Sequence, residues 1–229
     1  VTVTVNQMTT AEVGQFQIKI MKENSSEYTT ETHKGRAGEV VFLLEGKDYR
    51  TKMNIEQYDY QYGDGDVITT QTATAVDPKK GVNLVFMGDC FDARDIAKGT
   101  YLSGTNQAID HFFAVEPYKT YRNYFNVYTV FGMSNDSGMG TVDTIRDAKF
   151  GSQYTLNEGI SPNINTIIDY SLKTESVTKQ NFNKSLVVMV ENTTEYGGIC
   201  YMYGDGSAVA ICPMSADAYP YDFRGIVQH

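Results

Sequence analysis

Along the first third of the chain, apolar and polar residues alternate with a period of two. Thr2 and Thr4 separate Val1, Val3 and Val5, and Gln17 and Lys19 separate Phe16, Ile18 and Ile20. This alternation is the signature of strands with one buried face. Two more short runs follow at residues 39–43 and 49–53, and clusters of Gly, Asn, Ser, Asp and Lys at residues 24–26, 34–38, 45–48 and 63–66 punctuate the series. Short strands between regular turn signals predict a small β-sandwich over residues 1–76.

From residue 81 the pattern changes. Residues 82–87, 126–131 and 186–190 are almost continuously apolar, as in strands covered on both faces. Apolar residues at helical spacing fill residues 94–114, with Ile96, Leu102, Ile109, Phe112 and Phe113 on one side. Glu116-Pro117 opens a second predicted helix through Tyr118, Tyr121 and Phe125, and Ser161-Pro162 a third that runs to about Lys179. Strands joined by helical crossovers must be parallel and right-handed. The predicted fold is therefore α+β with two domains: a β-sandwich over residues 1–76, then an α/β domain over residues 77–229 with a mixed sheet and helices. Residues 199–203 and 208–212 flank Gly204-Asp205-Gly206 and read as a hairpin. A last helix begins after Pro220 and runs into His229 in its second turn, which marks the sequence as a fragment ended early.

Charge narrows the range of partners. Nineteen Lys and Arg stand against 28 Asp and Glu, a net charge of −9. Nucleic acids and anionic membranes need clustered cations, so both are excluded as general partners. No apolar run is long enough to span a bilayer. The start, Val-Thr-Val-Thr-Val, has neither a basic n-region nor an apolar h-region, so a signal peptide is not visible. A composition of 17 Tyr and no Trp, rich in Thr, Asn and Gly, suits an exported protein, whether secreted, periplasmic or at the cell surface. Three Cys are too few for a disulfide scaffold.

No standard catalytic motif is complete. The chain has no His-Glu-x-x-His, Gly-x-Ser-x-Gly, Gly-x-x-x-x-Gly-Lys or Cys-x-x-Cys. Gly63-Asp64-Gly65-Asp66 reads as a turn before it reads as a Ca²⁺ loop, because it lacks the regular ligand spacing. Tyr58, Tyr60 and Tyr62 share one strand face, which suits packing first and sugar stacking second. Asp89, Asp92 and Asp95 suit capping of the next helix before they suit a cation. Cys200 and Cys212 face each other only if the hairpin centres on Gly206, and otherwise remain free thiols. His33 and His111 read as surface or boundary residues.

Two resemblances add to this. Residues 34–53 resemble the end of a transthyretin-like or Cna-B-like sandwich, with a Gly-containing turn, a strand, a second Gly turn and a strand opened by Tyr49. Residues 81–229 resemble the N-terminal part of the catalytic domain of the M64 peptidases, the IgA-peptidase family of zinc metallopeptidases. The matching pieces come in the family's order: Asn83 to Asp89, Phe112 to Tyr118, Phe125 to Tyr128, Ser134 to Gly138, Glu191-Asn192, Tyr196-Gly197-Gly198, and Phe223 to His229.

The resemblance implies a zincin-like fold and a protein or peptide substrate. It makes His229 the first His of a His-Glu-x-x-His helix and hence the first Zn²⁺ ligand. Two His one turn apart share a metal, and the intervening Glu is the general base. That Glu and the second His are absent, so the chain holds no catalytic residue of its own and is expected to be inert, with Zn²⁺ belonging to the full-length protein. Tyr196, Gly197, Gly198, Ile199, Cys200 and Tyr201 are implied to form the edge strand that pairs with the substrate backbone. The alternative is a non-catalytic secreted or cell-surface binding protein with an adhesive sandwich.

Overall fold

The computed structural model describes residues 2–7, 13–21, 28–36, 39–44, 47–52, 61–156 and 159–229. The chain divides into two units, Val1–Asp59 and Tyr60–His229.

The first unit holds an antiparallel sheet of β1 (Thr2–Gln7), β2 (Val13–Met21) and β3 (Tyr28–Arg36), with β2 in the middle. It also holds an antiparallel hairpin of β4 (Glu39–Leu44) and β5 (Lys47–Lys52). The alternating runs thus fall on strands. β3 was not expected, because Tyr28-Thr-Thr-Glu-Thr-His33 has no apolar alternation and Lys34-Gly35-Arg36 reads as a turn. Register explains it: Thr29, Glu31 and His33 stand opposite Ile20, Ile18 and Phe16 of β2. Threonine-rich β3 borrows its place from the strand beside it.

The second unit is built on one six-stranded sheet. In order across the sheet it contains β10 (Ile199–Met202), β11 (Ala208–Pro213), β9 (Ser185–Glu191), β7 (Val82–Asp89), β8 (Phe125–Val130) and β6 (Val67–Gln71). β7 is parallel to both β8 and β9, and β11 is parallel to β9. β6 and β10 close the two edges antiparallel to their neighbours. The expected boundary after residue 76 therefore lies inside this unit. Val67–Gln71 pairs with β8, so this strand belongs to the larger sheet and to the second unit.

Period-two alternation distributes the central strands between two cores. Leu84, Phe86, Val127, Val188 and Val190 face α1 (Ala93–Ala97), α2 (Thr100–Phe112) and α4 (Phe223–Gln228), whose Ile96, Ile109, Phe112 and Phe223 cover them. Val85, Met87, Tyr128, Val187 and Met189 face the other way, under α3 (Ile164–Ser171) and the loops around it. Both faces of the sheet are covered, which is why the strands read as unbroken apolar runs.

Local chemistry trims each predicted helix. Gly99 in the left-handed region (φ 77°) splits residues 94–114 into α1 and α2. After Pro117 the segment forms turns and a short 3₁₀ helix at Arg122–Tyr124, and the Thr120 N–H donates to the Glu116 side chain at 3.2 Å. α3 is capped by Asn163 and stops at Ser171, well short of Lys179. There, hydroxyls of Ser171 and Thr174 take the carbonyls of Ile167 and Ser171, both at 2.9 Å.

Candidate functional site

The strand order reverses at β7. From β7 the chain crosses to β8 on one side, then returns over the sheet to β9 on the other. In parallel sheets the crevice at such a reversal, beyond the carboxyl ends of the strands, is where groups for binding or chemistry converge. Here Asp89 ends β7, Glu191 ends β9, and the two stand in register. Both are fully buried, as is Cys90 beside them.

Each carboxyl group has a different set of partners. Asp89 Oδ1 accepts from the Cys90 N–H at 2.8 Å, the Ser134 hydroxyl at 3.0 Å and the Phe150 N–H at 3.1 Å, and Oδ2 accepts from the Ser152 N–H at 3.0 Å. Glu191 Oε1 accepts from the Ser152 hydroxyl at 2.9 Å, and the Cys90 thiol lies 3.7 Å from Oε2. Burial, and then the charge of Asp89, push the Glu191 carboxyl well above its ordinary range. Burial, then Glu191 and Asp89, raise the Cys90 thiol far above its usual value. Both groups are thereby biased toward their protonated forms.

Asp89, Cys90 and Glu191 offer ligand atoms within 4.8 Å of one another, the one such group of three among the described residues. Their oxygens, however, are already taken by hydroxyls and backbone N–H groups. Both oxygens of Asp89 already accept hydrogen bonds, Oδ1 from Cys90, Ser134 and Phe150 and Oδ2 from Ser152. The cluster instead ties residues 134–152 across the ends of β7 and β9. The other two aspartates of that run do what the spacing favours: Asp92 caps α1 by accepting from the N–H groups of Arg94 and Asp95, and Asp95 returns a bond to the Asp92 N–H.

At the far edge of the sheet, β10 pairs with β11 on one side, and among the described residues no strand covers its other side. Its lead-in is fixed from within. The Tyr154 hydroxyl donates to the carbonyls of Glu195 at 3.2 Å and Tyr196 at 3.4 Å. The Ala216 N–H donates to Thr194 O at 3.0 Å. Tyr196, Gly198, Ile199 and Cys200 are exposed, whereas Gly197 is buried and Tyr201 is partly buried, its hydroxyl donating to Ile160 O at 2.7 Å. Register sets Cys200 opposite Ala210, so Cys212 lies two positions beyond any cross-strand partner of Cys200. All three cysteines are free.

α4 lies beside this lead-in. The Asp222 side chain caps it by accepting from the Gly225 N–H at 2.8 Å. A Cβ on Gly225 would overlap the Pro220 carbonyl, so only glycine lets the helix sit this close to the segment before it. On its other side the Phe223 ring packs perpendicular to His111, 5.6 Å between centres, and Gln228 donates to His111 O at 3.2 Å. A Cβ on Gly198 would come within 3.1 Å of Ile226, so the residue that leads into β10 and the helix touch. His229 ends α4, exposed, its N–H donating to Gly225 O at 3.0 Å.

Thus the structure brings Tyr196, Gly198 and α4 together but places His229 in no group of three metal-binding side chains among the described residues. A zinc site needs three protein ligands. The described residues do not assemble three around His229, and do not by themselves fit the ion.

The turn at residues 63–66 also has a plain role. Asp64 accepts from the Met133 N–H at 2.9 Å, Lys149 Nζ at 2.7 Å and the Tyr170 hydroxyl at 2.7 Å, which leaves it part of the scaffold. Tyr62 stacks on Phe131 at 4.8 Å, while Tyr58 and Tyr60 lie outside the described residues. Sequence reasoning missed the pairing of Glu191 with Asp89. Its signal was present: two buried parallel strands each ending in an acidic residue, at Gly88-Asp89 and Glu191-Asn192.

No helix among the described residues is long and apolar enough to cross a membrane. Residues 70–217 match the family described as IgA Peptidase M64. No curated protein matches the chain.

Proposed function

The chain belongs to the IgA Peptidase M64 family, and from that premise we propose that it is part of an exported, zinc-dependent metallopeptidase that hydrolyses peptide bonds of protein substrates. One observation carries the reading furthest: within a peptidase-family domain, the lead-in to an edge strand whose outer side no strand covers among the described residues touches, at Gly198 and Ile226, the helix that runs to His229. An extended peptide added to β10 would bond to its free N–H and C=O groups and lie beside α4. Tyr196, Gly197, Gly198, Ile199, Cys200 and Tyr201 are the proposed substrate-binding residues. Gly198 is exposed and presents no side chain to an approaching backbone, whereas Gly197 is buried against Tyr154 and Ile160 and acts by shaping the lead-in.

His229 is the proposed first zinc ligand. The general-base Glu and the second His would occupy the first and fourth positions after it. The chain's own part in the reaction is to bind and orient the substrate and to place one imidazole. The first unit is proposed as an accessory β-sandwich.

Zinc titration and a peptidase assay test this on two lengths of the protein. The 229-residue chain is expected to bind zinc weakly and cleave nothing. A longer form carrying the whole helix and the third ligand should bind one zinc and cleave a denatured protein, with chelator abolishing cleavage and His229→Ala removing both metal and activity. Chelator-resistant cleavage by the short chain would overturn the mechanism, and an inert, metal-free long form would overturn the peptidase reading.

A further inference from the structure

Large apolar side chains are unusually exposed along one line of the second unit. Tyr196 (51% exposed) lies in the lead-in to β10, and Tyr219 (61%) and Tyr221 (56%) stand where the chain turns into α4. The tyrosines are ordered against one another. Tyr196 and Tyr221 meet edge to face, their centres 5.3 Å apart and their planes at 90°. The Arg224 guanidinium lies over the Tyr219 ring at 4.7 Å. The backbone beneath is fixed, since Tyr154 holds the carbonyls of Glu195 and Tyr196, and the Tyr221 N–H donates to Ala218 O at 2.9 Å. A preformed aromatic patch continuous with an open strand edge suits an extended peptide carrying a large apolar side chain.

Its distance from the reaction centre can be worked out. Tyr196 sits against Tyr221, just before α4, and Gly198 sits against Ile226, in its second half. Strand and helix therefore advance side by side in the same direction. His229 lies three positions past Ile226, roughly 4.5 Å further along the axis. That puts it abreast of residue 199 or 200, about three strand residues beyond Tyr196. A substrate strand added antiparallel to β10, the slightly more stable pairing, runs from His229 toward Tyr196 as it goes from N to C terminus.

We propose that Tyr196 and Tyr221 form a specificity subsite that takes a Phe, Tyr or Leu side chain about three residues to the C-terminal side of the cleaved bond. This rests on the peptidase reading above. The aromatic edge offered by the pair supplies the selectivity, while the glycines beside it add no side chain to select with.

The test has a cleavage arm and a binding arm. Two decapeptides containing a mapped cleavage site are made with Phe or Ala three residues C-terminal to the cut. With the zinc-loaded full-length protein, kcat/KM should favour Phe by about tenfold. Tyr221→Ala should bring the ratio close to one, and Tyr221→Phe, which keeps the ring, should preserve it. In the second arm, fluorescence anisotropy of the labelled peptides with the 229-residue chain should show the same Phe preference and the same loss in Tyr221→Ala. Cleavage with no preference at that position, or a preference that survives Tyr221→Ala, overturns the subsite. Phe-selective binding with no cleavage by the full-length protein supports the subsite and overturns the peptidase reading.

Discussion

Replacing Glu191 with Gln should make the second unit more stable as pH rises. The amide keeps the size of the side chain and the oxygen that accepts from Ser152 at 2.9 Å, while the nitrogen meets the Cys90 thiol. What it removes is the titration. Burial and the Asp89 charge raise the folded-state carboxyl well above its ordinary value, against the weaker opposing effect of the Ser152 and Cys90 hydrogen bonds. An acid whose folded pKa is raised holds its proton in the folded state after the unfolded chain has lost it. Its contribution is complete below the ordinary carboxyl range and disappears as pH climbs through the folded value.

Between those two pKa values the wild type should lose up to about 1.4 kcal/mol of opening free energy per pH unit relative to the variant. Hydrogen exchange of the β7 and β9 amides between pH 5 and pH 8, converted to opening free energies, isolates the effect, because every other titrating group is common to both proteins. The curves are expected to diverge steadily, with the Gln variant the more stable at pH 8. Parallel curves would mean that Glu191 ionises at little cost in the folded state, and would refute the bias toward the protonated form at this position.

Tyr101→Phe should cost about 2–4 kcal/mol in urea denaturation. Its buried hydroxyl donates to Val130 O at 2.6 Å and accepts from the N–H groups of Gly88 at 2.6 Å and Gly132 at 3.0 Å, so removing it strands three backbone groups at the ends of β7 and β8. A thiol reagent should modify Cys200 on the native chain, while Cys90 and Cys212 should react only after denaturation, since both are buried and burial pushes Cys212 up to about 12. Mass spectrometry of the labelled peptides checks this, and equal labelling of all three in the native state would contradict the burial.

The central sheet was legible because its strands are apolar on both faces, a pattern that few other structures produce. Residues 82–87, 126–131 and 186–190 were expected to be mutually parallel, and β7, β8 and β9 are. The hairpin at Gly204-Asp205-Gly206 was legible because the Asp-Gly turn fixes the local geometry, whereas its edge position came from the family resemblance alone. Helix ends were not. Gly99 and the hydroxyls of Ser171 and Thr174 each end a ladder by a local bond or backbone conformation that periodicity does not see. β3 was invisible because its strand character comes from β2 rather than from its own pattern. The register of Cys200 and Cys212 depended on a shift of two residues, below what a turn motif specifies.

The pairing of Asp89 with Glu191 also bears on how the edge strand is placed, although neither residue touches it. Glu191 O accepts from the Met214 N–H at 3.2 Å, and Asp89 O accepts from the Asn192 N–H at 3.2 Å. The Asn192 side chain then donates to Cys90 O at 3.0 Å. Residues 192–198, which lead to β10, and residues 214–222, which lead to α4, therefore both start from the same buried cluster. They are joined again at Thr194–Ala216 and at the Tyr196–Tyr221 ring pair. Two segments fixed at a common origin and cross-linked along their length can move little relative to each other. The spacing of the open edge and the helix ending in His229 is thus set at the reversal point of the sheet, by residues that need never contact a substrate.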